Sequence, residues 1–384
     1  MTLAFFLALW AWSGLVIHLM VSALFVRGIR QLVRIENITS QPRQPYPKVS
    51  IVLAARNEER HVRSAIQTLS RMDYPHLEII AVDDRSTDGT REILEQLAAQ
   101  DSRISVLHID SLPEGWLGKN HALYRGAERA RGEWILFTDA DVFMKADTLR
   151  RAVHYAQQQN VDLLAALPGL EMPGWWLETF ALVFMLFFCL YFQPWRARRP
   201  NSRSYIGVGA FTLVRASTYH ELGGHRPIAM RPDDDVRLGK LFKEHGKRID
   251  VVRAAQHVRV PWYSSWADLQ RGLEKNLFSG VDYRMEIIIV SSLAALLFNV
   301  APYLMVFLAE GWARWAFGAS CCVLWAMSLT AARAAQMRLS AALGFPLAVL
   351  LFVYLQWRTM IVNLWYGGIR WRDTFYSWEQ LKPG

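Results

Sequence analysis

Two hydrophobic patterns share this chain. In the first, short apolar runs recur between stretches of helical period: VSIVLA (Val49 to Ala54), EIIAV (Glu78 to Val82), ISVL (Ile104 to Leu107) and WILFT (Trp134 to Thr138) read as strands. Between them, Glu59 to Ser70 and Asn120 to Arg131 read as helices, as does STDGTREILEQLAAQ, where Ser86 and Thr87 stand in capping position and Ile93, Leu94 and Leu97 form an apolar face. Strands alternating with helices predict an α/β fold, a mostly parallel sheet flanked by helices on both faces. Such sheets collect ligands beyond their C-terminal strand ends. The polar clusters stand there: ARNEE after the first run, DDRSTDG after the second and DADV after Thr138.

The second pattern is long and unbroken. Leu3 to Val26 contains no Lys, Arg, Asp or Glu and is long enough to cross the ~30 Å hydrocarbon layer as a helix. Arg27, Arg30 and Arg34 follow it, whereas a cleaved signal has its basic residues in front, so the sequence predicts a retained anchor whose C-terminal side is cytoplasmic. Three more such stretches, Ile287 to Ala309, Trp312 to Ala332 and Ala341 to Tyr366, close the chain. The positive-inside rule sets the Glu310–Arg314 turn outside and the Arg333/Arg338 turn inside. Three crossings put the C-terminus outside while Arg370, Arg372 and Lys382 favour the inside, which leaves one span as a candidate re-entrant segment. Pro173 to Arg199 is apolar, has tryptophans at both ends and an arginine cluster behind it, which suits a helix lying in the interface; a core helix is the alternative.

The expected organisation is an anchor over 1–34, a linker over 35–47 containing most of TSQPRQPYPK, a cytoplasmic α/β domain over 48–284 with the interfacial helix at 173–195, and a membrane region of about three helices with a short tail over 285–384. Composition agrees: 52% of the 384 residues are hydrophobic and the mean hydropathy is +0.10, so part of the chain belongs in lipid. A net charge of +9 raises nucleic acid as a partner, but the arginines gather beside the apolar spans, at Arg27, Arg30 and Arg34 and at Arg196 to Arg199, where anionic head groups account for them. Cys189, Cys321 and Cys322 have neither disulfide-framework nor zinc spacing.

In DADV, Asp139 and Asp141 stand at the end of a buried strand and repel each other unless a positive charge lies between them. No basic residue near them in the sequence does that work, so a divalent ion is expected, with simple capping of the next helix as the alternative. PDDDVRLG places Asp233, Asp234 and Asp235 in a row, and such crowding raises the pKa of at least one of them.

VSIVLAARNEE, IIAVDDRSTDGT, GKNHAL, FTDADV, GVGAFTLVRASTYHELGGH and DDDVRLG, in that order, resemble the family 2 glycosyltransferases of the GT-A fold over most of residues 48–284. The resemblance implies a nucleotide-sugar donor, probed by Ala54, Ala55, Arg56 and Glu58 on one side and by Asp84 reading the base. It leaves Asp83 between base contact and holding the turn, and Lys119 between the base, a phosphate and a solvated helix start. It implies Asp141 as ligand of Mg²⁺ or Mn²⁺, with Asp139 on the donor ribose and beside the ion, Asp235 as the base with Asp234 as its partner, and Gly209 in the acceptor region. Proline often stands in the family where this chain has Ala54. Where processive members carry a Gln/Arg-x-x-Arg-Trp box, the chain has QRGLEKNLFSG: Gln270 or Arg271 takes the first place and Lys275 the arginine's, but no tryptophan follows. That points to the branch similar to ceramide, hopanoid and carotenoid-type glucosyltransferases.

The expectation is thus an integral membrane enzyme that moves one sugar from a UDP-linked donor, with inversion, to a lipid hydroxyl, with the bilayer as partner and no nucleic acid. The rivals are a processive polysaccharide or polyprenyl-phosphate glycosyltransferase and a non-catalytic membrane scaffold.

Overall fold

The computed structural model describes residues 3–39, 45–274, 276–371 and 374–381. The chain opens with α1 (Leu3–Gln31) and then alternates β1 (Val49–Ala55), α2 (Val62–Ser70), β2 (Leu77–Asp84), α3 (Thr90–Gln100), β3 (Ile104–Ile109), α4 (Gly118–Arg129) and β4 (Trp134–Asp139). There follow β5 (Phe143–Met144), α5 (Thr148–Gln159), β6 (Leu163–Leu167), β7 (Gly169–Glu171), α6 (Gly174–Phe192), β8 (Thr212–Arg215), α7 (Ala216–Glu221), α8 (Asp234–Glu244), β9 (Ile249–Arg253) and β10 (Val258–Pro261). Helices α9 (Trp266–Glu274), α10 (Asn276–Ser279), α11 (Met285–Ala294), α12 (Ala301–Leu308), α13 (Gly311–Ala335) and α14 (Phe345–Tyr366) complete the main elements.

These form two compact units. The sheet unit comprises Leu32–Leu170 and Phe192–Pro261; the helical unit comprises Met1–Gln31, Glu171–Tyr191 and Trp262–Gly384. The span 48–284, expected as one domain, therefore contributes α6, α9 and α10 to the helical unit. The segment expected as a linker begins inside the sheet unit: Ile35 is fully buried, and Arg151 donates to the carbonyls of Glu36 and Ile38. Residues 40–44 of that linker, Lys275, and Arg372 and Lys382 of the tail lie outside the described residues.

In the sheet unit seven strands run in the order β3-β2-β1-β4-β8-β6-β9, with β8 antiparallel to both neighbours and the other pairs parallel. Ile51, Val52, Leu53, Ile79, Val82, Ile135 and Leu136 are buried, the near-continuous apolar reading of strands covered on both faces. Parallel register then decides the chemistry. Ala54 lies opposite Asp139, Ala55 opposite Asp83, and Asp84 opposite Ile109, so three polar clusters from distant parts of the sequence share one sheet end. The loops after β1 and β2 are stitched together there: Asn57 N–H donates to Ser86 Oγ (3.1 Å), Thr87 N–H to Asn57 Oδ1 (2.8 Å) and Glu58 N–H to Thr90 Oγ1 (2.8 Å). Ser86 and Thr87, expected to cap a helix, are thus engaged with Asn57 before α3 begins at Thr90, where the Asp88 carboxylate accepts from Thr90 N–H (3.0 Å).

The helical unit packs by shape. Ala11 of α1 meets Ala313 and Ala316 of α13, small residues that let helix backbones approach, with Phe317 packed beside them, and Phe180 of α6 shares a core with Leu269, Leu273 and Leu355. Pro302 explains the break between α11 and α12: its ring cannot sit against the carbonyl four residues earlier, and the chain widens into a π-helical turn over Ala295–Val300. Among the described residues, five helices are long and apolar enough to cross a membrane: Ala4–Gln31, Gly174–Arg196, Met285–Leu308, Gly311–Ala335 and Leu339–Tyr366.

Candidate active site

Helix α4 begins where β1 and β2 end, and its first turn presents Lys119. Its ammonium lies 2.8 Å from Asp139 Oδ1 and 3.5 Å from Asp234 Oδ1. Burial alone pushes this amine toward the neutral form, but Asp139, Asp234 and Asp235 together outweigh it and hold the proton on more firmly than usual. The positive charge beside DADV is therefore partly a lysine twenty residues upstream, which corrects the expectation that only an ion does that work. Pairing between separate elements hid it from the sequence.

Asp141 is different. Its carboxyl is pushed up to about 7, first by burial and then by the like charges of Asp139 and Glu58, against which Lys119 is a minor offset. Neither acid caps the next helix; that position belongs to Asp147, in front of α5. Among the described residues no group of three or more His, Cys, Asp and Glu forms a ready metal cage. Asp139 and Asp141 still suit a hard ion that takes one or two carboxylates and leaves its other positions to water and phosphate.

The three consecutive acids divide their tasks. Asp233 is held by Arg231 (3.2 Å) and Arg237 (2.7 Å), the structural role expected of a helix start. Asp234 is buried and faces Lys119. Asp235 accepts the Gly209 N–H at 2.6 Å through Oδ2, and its carboxyl is raised to about 7, chiefly by burial and then by Asp234. Two glycines permit this approach. A Cβ on Gly207 would overlap the Asp235 carbonyl, and one on Gly209 would stand 2.8 Å from Asp139 Oδ2 and 3.5 Å from Asp235 Oδ2. Gly209, expected in the acceptor region, thus adjoins both acidic clusters.

Asn120, missed in the sequence, ties the lysine to the acids. Its side-chain amide approaches the carbonyls of Ile228 (2.9 Å), Ala229 (3.0 Å) and Arg231 (2.9 Å), and Leu117 N–H donates to Ala229 O (2.9 Å). The loop that leads into Asp233 is thereby fixed to the start of α4. On the β2 side of the same sheet end Asp83 accepts from Ser86 N–H (3.2 Å) and contacts His108 (3.3 Å), so it holds the turn, while Asp84 pairs with Arg85. Ala54 and Arg56 are half-buried beside Glu58 on the β1 loop, and Ala55 is buried. Arg271 lies on α9, in the helical unit.

Residues 50–223 match the model of glycosyl transferase family 2. A 4,4'-diaponeurosporenoate glycosyltransferase of Staphylococcus aureus (strain USA300) is 24% identical over 234 residues, covering 60% of this chain and 61% of that protein. The match thus spans less than two thirds of the length of the curated relatives. The solved mannosyltransferase of Pyrobaculum calidifontis, in complex with GDP-Man and Mn²⁺, superposes with a TM-score of 0.53 at 19% identity over 94% of this chain and 99% of its own. That likeness gives the fold, GT-A.

Proposed function

We propose that the chain is an inverting glycosyltransferase that moves a single sugar from a UDP-linked donor to a lipid hydroxyl at the cytoplasmic face of a membrane. The observation that carries this reading is the convergence on Lys119: Asp139 at 2.8 Å, Asp234 at 3.5 Å, and Asp235 held on the Gly209 N–H at 2.6 Å. Asp235 takes the proton from the acceptor hydroxyl as it attacks the anomeric carbon. A carboxyl raised to about 7 accepts that proton readily at neutral pH, and its bond from Gly209 fixes the direction from which it does so. Lys119 stands between the base side and the donor side and balances charge on both. Asp84 accepts from the base, Asp139 from the ribose. Asp139 and Asp141 would hold the divalent ion, whose chemistry is to neutralise the departing diphosphate. Attack opposite that leaving group inverts the sugar.

The acceptor assignment draws on the curated relative, named for diaponeurosporenoate, and on the missing tryptophan after Lys275. The cytoplasmic orientation rests on Arg27, Arg30 and Arg34 behind the first span. The test is transfer of labelled sugar from UDP-sugars to a membrane lipid extract by the full chain in nanodiscs, read by mass spectrometry. One sugar per lipid is expected; an elongating ladder, or no labelled lipid, would overturn the reading.

A further inference from the structure

The base-reading acid Asp84 does not stand alone. Successive residues of a strand point to opposite faces, so Asp84 and its neighbour should not meet. They do, because Arg85 adopts φ 57°, the left-handed region that ordinary L-residues avoid, and its side chain turns back on Asp84. Arg85 Nε donates to Asp84 Oδ1 (2.8 Å) and Nη2 to Oδ2 (3.1 Å), a two-point pair in which the carboxylate is buried and the guanidinium partly exposed. Two further features hold this conformation. Asp83 accepts the Ser86 N–H and closes the turn around Arg85, and Gly118 leaves the room the pair occupies, since a Cβ there would come within 2.6 Å of Arg85 Nη2. Backbone strain of this kind persists only where the surroundings enforce it, and it concentrates at ligand clamps.

We propose that Arg85 is a second base-reading residue, and that the Asp84–Arg85 pair selects nucleotides whose base carries a ring N–H beside a carbonyl. This rests on the donor reading given above for Asp84. A carboxylate has about four acceptor sites and a guanidinium five N–H donors. The pairing sets an acceptor beside a donor on one rigid element. Its complement is a lactam edge: the ring N–H donates to Asp84 while the adjoining carbonyl accepts from Arg85. Uracil and guanine have that edge. Held in that same register, cytosine and adenine turn a ring-nitrogen lone pair toward the carboxylate and an amino group toward the guanidinium, so both contacts become repulsive. Asp84 alone would reject those bases but would gain less from the right ones.

The test is calorimetric binding of UDP, GDP, CDP and ADP, with Mn²⁺, to the full chain in nanodiscs. The wild type should bind UDP or GDP at least about tenfold more tightly than CDP and ADP, the scale of one charged hydrogen bond. Arg85→Asn should shrink that gap to about threefold or less by weakening the lactam bases, on the same scale. Asn tolerates left-handed backbone, so the turn survives. Arg85→Lys, which keeps one donor but not the fork, should fall between. A gap that persists in Arg85→Asn, or a wild type that binds all four alike, overturns the role of Arg85 while leaving the donor site standing. If the wild type binds none of the four, the donor reading fails and this inference fails with it.

Discussion

The sheet unit and the helical unit spend their side chains in opposite ways. Among the described residues, every large hydrophobic side chain that stands exposed belongs to the helical unit, from Phe5 (50%) and Met20 (67%) to Phe307 (80%), Trp312 (78%) and Trp365 (83%). Water penalises such surfaces and lipid does not. Buried charge shows the reverse: Asp83, Asp84, Asp234, Arg237 and Asp250 lie in the sheet unit, while Glu178, matched by Arg338 at 3.3 Å, is the buried carboxylate of the helical unit. The contrast teaches a division of labour. Polar chemistry is concentrated where a sheet can bring distant loops together, and the helical unit supplies apolar surface. A variant in one unit should therefore leave the other unit's task measurable.

The largest expected effect is at Asp141, the acid whose neighbours are chiefly like charges. Asp141→Ala should abolish the enhancement of UDP binding by Mn²⁺ and, with it, transfer. Calorimetry in EDTA and then in Mn²⁺ checks this, and affinity undiminished by EDTA in the wild type would remove the ion from the mechanism. Next is Asp235→Asn, which should lower transfer by about 10²–10⁴-fold while UDP affinity stays close to wild type. Because burial raises the Asp235 carboxyl to about 7 and the base must be ionised, wild-type transfer should fall as the pH drops below that value. Retention of more than half the turnover in Asp235→Asn would move the base to Asp234.

The third variant sharpens the comparison from the other side. Phe184 of α6 lies 4.7 Å from the ring of Trp262, within the helical unit. Phe184→Asp carries a cost on the ~2.5–3.5 kcal/mol scale of charges in apolar membrane segments. Transfer to lipid should fall sharply, whereas donor hydrolysis without acceptor should survive. Equal loss of both activities would show that the two tasks are not separable.

Much of this was legible in the sequence because strands and spans leave strong patterns. VSIVLA, EIIAV, ISVL and WILFT became β1 to β4, and the three C-terminal apolar stretches became helices within a few residues of their expected ends. The acids of DADV and DDDV stand out in the sequence only by their crowding, since a turn or a helix start accounts for a single carboxylate, as it does for Asp233. What the sequence hid was pairing. Lys119 with Asp139, and Asn120 with the carbonyls before Asp233, join residues about twenty and one hundred positions apart that no period or motif connects. Arg85 was hidden for another reason: its meaning depends on a left-handed φ, which propensities assign to glycine or asparagine and not to arginine.

The smallest effect expected concerns that hidden pairing. Asn120 is fully buried, and its amide approaches three carbonyls of the loop over residues 228–231. Asn120→Ala removes those donors. Ala229 O keeps the Leu117 N–H and Ile228 O the Arg231 N–H, so the carbonyl of Arg231 is the one that loses its partner. Leaving that part-buried acceptor unmatched costs about 1–3 kcal/mol, which for a unit of this size lowers Tm by about 3–10 °C. Activity should suffer less than stability, because Asp235 retains its bond from Gly209 and Asp233 its pair with Arg237 of α8, and these hold the acids in place without the loop. A thermal shift measured beside UDP binding separates the possibilities. A lowered Tm with UDP affinity within about threefold of wild type, less than the worth of one hydrogen bond, would assign Asn120 to the scaffold. An unchanged Tm would mean that the loop is held by the arginines alone and that the link between α4 and the acids carries no weight.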